Sequence, residues 1–186
     1  MDERRLFIAI ALPTDVQAAL SQVVQDLRLR VSGGRWVAPG NHHITLQFLG
    51  EIPKGKVTEL ANLIQEATKE TPQFVLHLEG IGLFGRRQGV LWMGVRQNKI
   101  LADLVDKLRF RLAMSGFVTE KRPYVPHITL ARQISLAADP AESWCWLPIK
   151  CPVHEIVLME SRIEHSRRVY LPLYSQTLTA LPISGS

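Results

Sequence analysis

The tetrapeptide His-Ile-Thr-Leu occurs at residues 43–46 and again at 127–130. Side chains alternate between faces along a strand, so His43 and Thr45 share one face while Ile44 and Leu46 take the other. His127 and Thr129 stand against Ile128 and Leu130 in the same way. Each copy is an imidazole and a hydroxyl backed by two core-directed apolar residues. If two such strands face one groove, two imidazoles and two hydroxyls converge on it. A neutral imidazole can then take a proton from an attacking hydroxyl while a protonated one gives a proton to the leaving oxygen of a phosphodiester. Imidazole titrates near neutral pH, so surroundings that push two pKa values apart let the pair hold opposite states. The threonine hydroxyls can donate to non-bridging phosphate oxygens. No metal and no cofactor is expected for this chemistry.

A single His-x-Thr in a strand is usually structural; two identical copies in matching contexts shift the weight to function. The neighbouring His42 has the opposite parity to His43 and is expected to face elsewhere, and His77, His154 and His165 have no repeated context. His42 and His43 cannot both reach one ion from a regular strand, and no His-Glu-x-x-His or Cys-x-x-Cys occurs. A serine hydrolase lacks its Gly-x-Ser-x-Gly elbow. Gly50, Gly55 and Lys56 imitate the spacing of a P-loop, but Val57 stands where a hydroxyl should bind magnesium and Pro53 removes a backbone N–H. A helix-entry turn is the better account of that stretch.

The elements that must position the motifs follow from periodicity and breakers. Strands are expected at residues 6–12, 43–49, 74–78, 90–95, 127–130, 154–160 and 169–174, with a short extended piece at 35–37. Helices are expected after Thr14 or Asp15 as cap, over 57–70, and from Asn98 to a stop at Gly116. The glycine- and arginine-rich stretch 79–89 reads as a linker, and 135–149 as irregular. A helix precedes each proline-containing lead-in to a motif, so the order of elements repeats. The expected fold is α+β and bilobal: two pseudo-symmetric lobes, each a mainly antiparallel sheet packed against helices, with the groove between them. Residues 1–178 are read as one domain and 179–186 as a polar tail.

The chain has 186 residues, a net charge of +5 and a pI near 9.5, a balance that favours anionic partners without naming one. Cys145 and Cys151 form neither a disulfide framework nor a zinc pattern, which suggests reduced thiols. The apolar run near the start is too short to cross a membrane. A cytoplasmic monomer is expected.

At these residues the chain resembles the 2H phosphoesterase superfamily, most closely its bacterial and archaeal RNA 2′,3′-cyclic phosphodiesterases, historically called 2′-5′ RNA ligases. The resemblance rests on both tetrapeptides and on RLFIAIALP, RWVAPGNHHITLQFLGEI, GVLWMGV, RPYVPHITLAR and the closing EIVLMESRI and VYLPLYSQTL, across residues 4–178. It implies that His43 is the proton donor to the departing 3′ oxygen, that His127 is the proton acceptor that activates water, and that Thr45 and Thr129 hold the phosphate. The implied partners are RNA ends bearing a 2′,3′-cyclic phosphate, tRNA fragments among them, and the implied product is a 2′-phosphomonoester. If a 5′-hydroxyl replaces water, the same machinery makes a 2′-5′ linkage without ATP. The identical motifs do not themselves say which histidine is acid and which is base.

Arg132 lies five residues beyond His127 and points away in a regular strand; only a bulge would bring it to phosphate. Arg86, Arg87, Arg167 and Arg168 are further phosphate candidates, and Phe48, Trp36 or Tyr124 could stack on a base. The alternatives are a module that binds RNA or a nucleotide without turnover, and the same chemistry on a small cyclic nucleotide.

Overall fold

The computed structural model describes residues 2–85, 88–134 and 146–180. The chain opens with β1 (Glu3–Ala11), α1 (Thr14–Arg30), the two-residue β2 (Arg35–Trp36) and β3 (His43–Pro53). It continues with α2 (Val57–Thr68), β4 (Phe74–Phe84), β5 (Gly89–Val95), α3 (Lys99–Met114) and β6 (His127–Ile134). It closes with β7 (Ile149–Val153), β8 (Glu155–Glu164) and β9 (Arg167–Thr177). The protein is a mixed α+β fold. Its strands form one antiparallel sheet in the order β7-β4-β5-β6-β3-β1-β8-β9, with β2 added to β6. The two motif strands, β3 and β6, are neighbours at its centre. They share a single paired position, Ile44 with Ile128, and both side chains are fully buried. That position is a seam between β7, β4, β5 and β6 on one side, with β2 added to β6, and β3, β1, β8 and β9 on the other.

The sheet has one apolar face and one more open face. From β1, Leu6, Ile8 and Ile10 join Ile44 and Leu46 of β3, Leu91 and Met93 of β5, and Ile128 and Leu130 of β6 in one core under the helices. α2 and α3 pack on each other, α3 against β3 and α2 against β9, whereas α1 crosses to β7 on the other side of the seam. Each half of the sheet is thus covered in part by a helix that follows a strand of the other half. Asn98 caps α3 by accepting the Leu101 N–H at 3.0 Å, as its position before the apolar repeat predicts. α1 has no side-chain cap: Pro13 precedes it, and Gln17 donates from its side chain to the Leu12 carbonyl at 2.8 Å.

Two departures from expectation have physical reasons. The stretch expected to be a linker from residue 79 is strand as far as Phe84. Its glycines serve packing: a Cβ at Gly82 would collide with the Trp92 ring, and Gly80 has φ 72° where the β4–β5 register shifts. β7 was not expected at all, because Pro152 interrupts it; the strand lies at the sheet edge, where a missing N–H is tolerated. The P-loop mimic is the end of β3 followed by a short 3₁₀ turn, Lys54–Lys56, and the Lys56 ammonium donates to Glu59 at 2.6 Å. No helix among the described residues is long and apolar enough to cross a membrane. Arg86, Arg87, Cys145, residues 135–145 of the segment expected to be irregular and most of the expected tail lie outside the described residues.

Candidate active site

Both motif strands carry the same two irregularities. Against β1, the β3 register skips Leu46 and then Leu49; against β5, the β6 register skips Leu130 and then Gln133. Each is a bulge, one extra residue opposite a regular strand, and it reverses the alternation of faces beyond it. The corresponding bulges are 84 residues apart, as are His43 and His127. The first bulge puts Leu46 and Gln47 together on the core side, where Gln47 accepts from Arg109 of α3 at 3.3 Å. Leu130 and Ala131, both fully buried, do the same in β6. Phe48 and Arg132 are thereby returned to the open face that holds the histidines. Arg132 is exposed, and its charge acts on His43.

The seam sets the geometry of the two imidazoles. Continuing the Ile44–Ile128 register by one residue in each direction puts His43 opposite Thr129 and Thr45 opposite His127. The histidines are then diagonal neighbours, and such pairs stand about 7–8 Å apart across an antiparallel ladder. That gap leaves room for one phosphate between the rings. In both copies the imidazole Nδ1 lies 2.8 Å from the carbonyl oxygen two residues upstream, Asn41 for His43 and Val125 for His127. A carbonyl only accepts, so Nδ1 carries the hydrogen and Nε2 is left for acid–base work. The Asn41 side chain donates to the Arg168 carbonyl at 2.7 Å, which ties the His43 carbonyl partner to β9.

The surroundings of the two rings differ. His43 Nε2 lies 3.0 Å from the Thr45 hydroxyl, and the ring packs on Phe7 and edge-on to Tyr170, with centroids at 4.8 and 5.0 Å. Burial holds the His43 pKa below its ordinary value, opposed by the Asn41 carbonyl and reinforced by the charges of Arg132 and His127. His127 meets Phe84 edge-on at 5.0 Å, with Trp92 behind it at 6.2 Å. His42 faces away from this pair, is 3% exposed and has no hydrogen-bond partner for either ring nitrogen among the described residues. Burial, then the nearby His43 charge, pushes its pKa down to about 4, so it is neutral at physiological pH.

The remaining candidates separate clearly. Phe48 is half exposed beside Phe7 on the open face. Tyr124 is committed elsewhere: its hydroxyl donates to the Thr45 carbonyl at 3.0 Å and its ring lies under Arg109, which makes it a brace between the second lead-in and the first motif. Trp36 is likewise occupied, with the Arg28 guanidinium 5.2 Å above its ring. Arg168 donates to Ser161 at 2.5 Å, and His154 pairs with Gln73 at 3.0 Å. Sequence reasoning missed Phe7, Tyr170, Phe84 and Trp92, which flank the rings. Their long-range cross-strand registers decide this, and the only signal was an aromatic at alternating positions of an apolar strand. Among the described residues no cluster of three metal-ligating side chains occurs. A concavity of about 350 Å³ between the end of α2 and residues 176–179 is lined by no imidazole.

An RNA 2′,3′-cyclic phosphodiesterase of Geobacillus stearothermophilus is 31% identical over all of this chain, which spans 59% of that protein's length. An RNA 2′,3′-cyclic phosphodiesterase of Escherichia coli (strain K12) is 34% identical, with 96% of this chain and 98% of that protein covered. The crystal structure of E. coli LigT complexed with 3′-AMP superimposes with a TM-score of 0.78 at 34% identity, covering 96% of this chain and 99% of the other. A sequence profile of the 2′-5′ RNA ligase superfamily matches residues 13–163, and with the paired His-Ile-Thr-Leu strands at its centre this chain belongs to that superfamily.

Proposed function

We propose that this protein is a metal-independent RNA 2′,3′-cyclic phosphodiesterase, in which water attacks the cyclic phosphate and the 3′ oxygen departs to leave a 2′-phosphomonoester. One observation carries the proposal: two imidazoles, each locked through Nδ1 to a carbonyl two residues upstream, immediately precede the paired residues Ile44 and Ile128 of adjacent strands. His127 Nε2 takes the proton of the attacking water as the water oxygen bonds to phosphorus. His43 gives its Nε2 proton to the 3′ oxygen as the P–O3′ bond breaks. These two roles are the ones implied by the family. The lowered His43 pKa makes its imidazolium a willing donor, and the anionic substrate, opposite in sign to Arg132, favours loading of that proton. Thr45 and Thr129 donate to the non-bridging oxygens where charge accumulates, Arg132 neutralises the phosphate, and Phe48 offers a stacking face. With a 5′-hydroxyl in place of water, the same proton transfers join RNA ends through a 2′-5′ bond without ATP. The substrates are RNA 3′ ends, tRNA fragments among them, met by a cytoplasmic monomer.

The test is an oligoribonucleotide ending in a 2′,3′-cyclic phosphate, with product regiochemistry determined. A 2′-phosphate at a rate unchanged by chelator is expected. A 3′-phosphate would remove the assigned leaving group; inhibition by chelator that a divalent ion reverses would remove the metal-free scheme. An intact cyclic end with tight RNA binding would mean a binding module instead.

A further inference from the structure

Arg35 of β2 is directly paired with Arg132 of β6, so both guanidinium groups leave the ladder on the same face, the one that holds the histidines. Both residues are exposed, and neither has a carboxylate partner among the described residues. Like charges directly opposite each other destabilise a strand pair. This pair is nonetheless firmly built. The Val37 N–H donates to the Leu130 carbonyl at 2.9 Å, and Trp36 is packed on the other side under Arg28. Gly34 lets the chain pass so close to β6 that a Cβ there would meet the Ile134 side chain and the Arg132 carbonyl. A held pair of cations with no carboxylate partner among the described residues, beside the proposed phosphate site, is suited to more than one negative charge.

We propose that Arg35 binds the phosphate on the 5′ side of the terminal nucleotide while Arg132 serves the cyclic phosphate, so that β2 is a subsite for the penultimate nucleotide. Directly opposed residues have Cβ atoms about 4.5–5.5 Å apart, and two long side chains starting there reach neighbouring phosphates of one strand. The contact is to backbone, so it selects a polynucleotide over a mononucleotide and is indifferent to base. This subsite rests on the activity proposed above and assigns its substrate class.

The experiment compares wild type, Arg35→Ala and Arg35→Lys on a mononucleoside 2′,3′-cyclic phosphate with a free 5′-hydroxyl and on a dinucleotide ending in the same group. Arg35→Ala is expected to lose about tenfold more kcat/KM on the dinucleotide than on the mononucleotide, mainly through KM, and the salt dependence on the dinucleotide should weaken by about one charge. Arg35→Lys should recover part of the difference. Equal losses on both substrates would make Arg35 a structural or scissile-phosphate residue and overturn the subsite, as would no loss on either. Wild type inactive on both substrates would overturn the catalytic proposal, and the subsite with it.

Discussion

Beside His43 stand Phe7, Tyr170 and a second, buried imidazole; beside His127 stand Phe84 and Trp92, and the position equivalent to His42 is Pro126. Phe48 on one side corresponds to Arg132 on the other, at the same step past the same bulge. The Nδ1 locks are alike to 2.8 Å, yet only His43 has its Nε2 engaged by its own threonine. The backbone is thus repeated at the two histidines, while the side chains around them differ. In the mechanism proposed above, the repeated backbone brings the two imidazoles to one phosphate and the flanking side chains set their separate roles.

The largest expected effect removes either member of the pair. His43→Ala and His127→Ala should each lower kcat by about 10²–10⁴-fold, the range for a general acid or base, with thermal unfolding little changed because both side chains are only partly buried, on the open face of the sheet. Wild-type turnover by one of the variants would take that half out of the mechanism. Next comes an asymmetry in stability. The folded-state pKa of His42 is depressed to about 4, so its contribution is present above its unfolded value of 6.5 and is lost as pH falls towards 4. The loss is about 3 kcal/mol as an upper bound, read as a fall in denaturant midpoint between pH 7 and pH 4, and His42→Leu should flatten most of that slope. An unaltered slope in His42→Leu would assign the acid sensitivity elsewhere.

Thr45→Val and Thr129→Val should each cost about 10²-fold in kcat as donors to phosphate oxygen are lost. The first should cost more, because Thr45 also holds His43 Nε2. Equal losses would mean that this hydrogen bond does nothing beyond the phosphate contact. The subtlest test moves a pH profile. Arg132 lowers the His43 pKa, so Arg132→Gln should raise it. If His43 is the acid, the alkaline limb of kcat moves to higher pH; if the acidic limb moves instead, the two histidines exchange roles.

How much of this was legible depends on range. α3 was legible from Asn98 to its stop at Gly116, and so was the shared face of His43 and Thr45, because caps and alternation act between near neighbours. The position of Arg132 was half legible: its odd spacing demanded a bulge, but nothing local in Leu130-Ala131 declares one. β7 and the outer part of β4 were hidden because their proline and glycines read as breakers until an edge position and the Trp92 ring explain them. The ring neighbours of the histidines come from β1, β4, β5 and β9, and no window along the chain contains those registers.

The bulge at Leu130 has a consequence for chain length. A regular strand counts in twos, so losing one residue between an imidazole and a guanidinium would swing one of them into the hydrocarbon. Here the odd residue is already absorbed. Excising Leu130 would keep Arg132 facing the imidazole row, whereas excising Ile128 or Thr129 would turn the strand over. Tolerance to single-codon deletions should therefore change abruptly within three neighbouring positions.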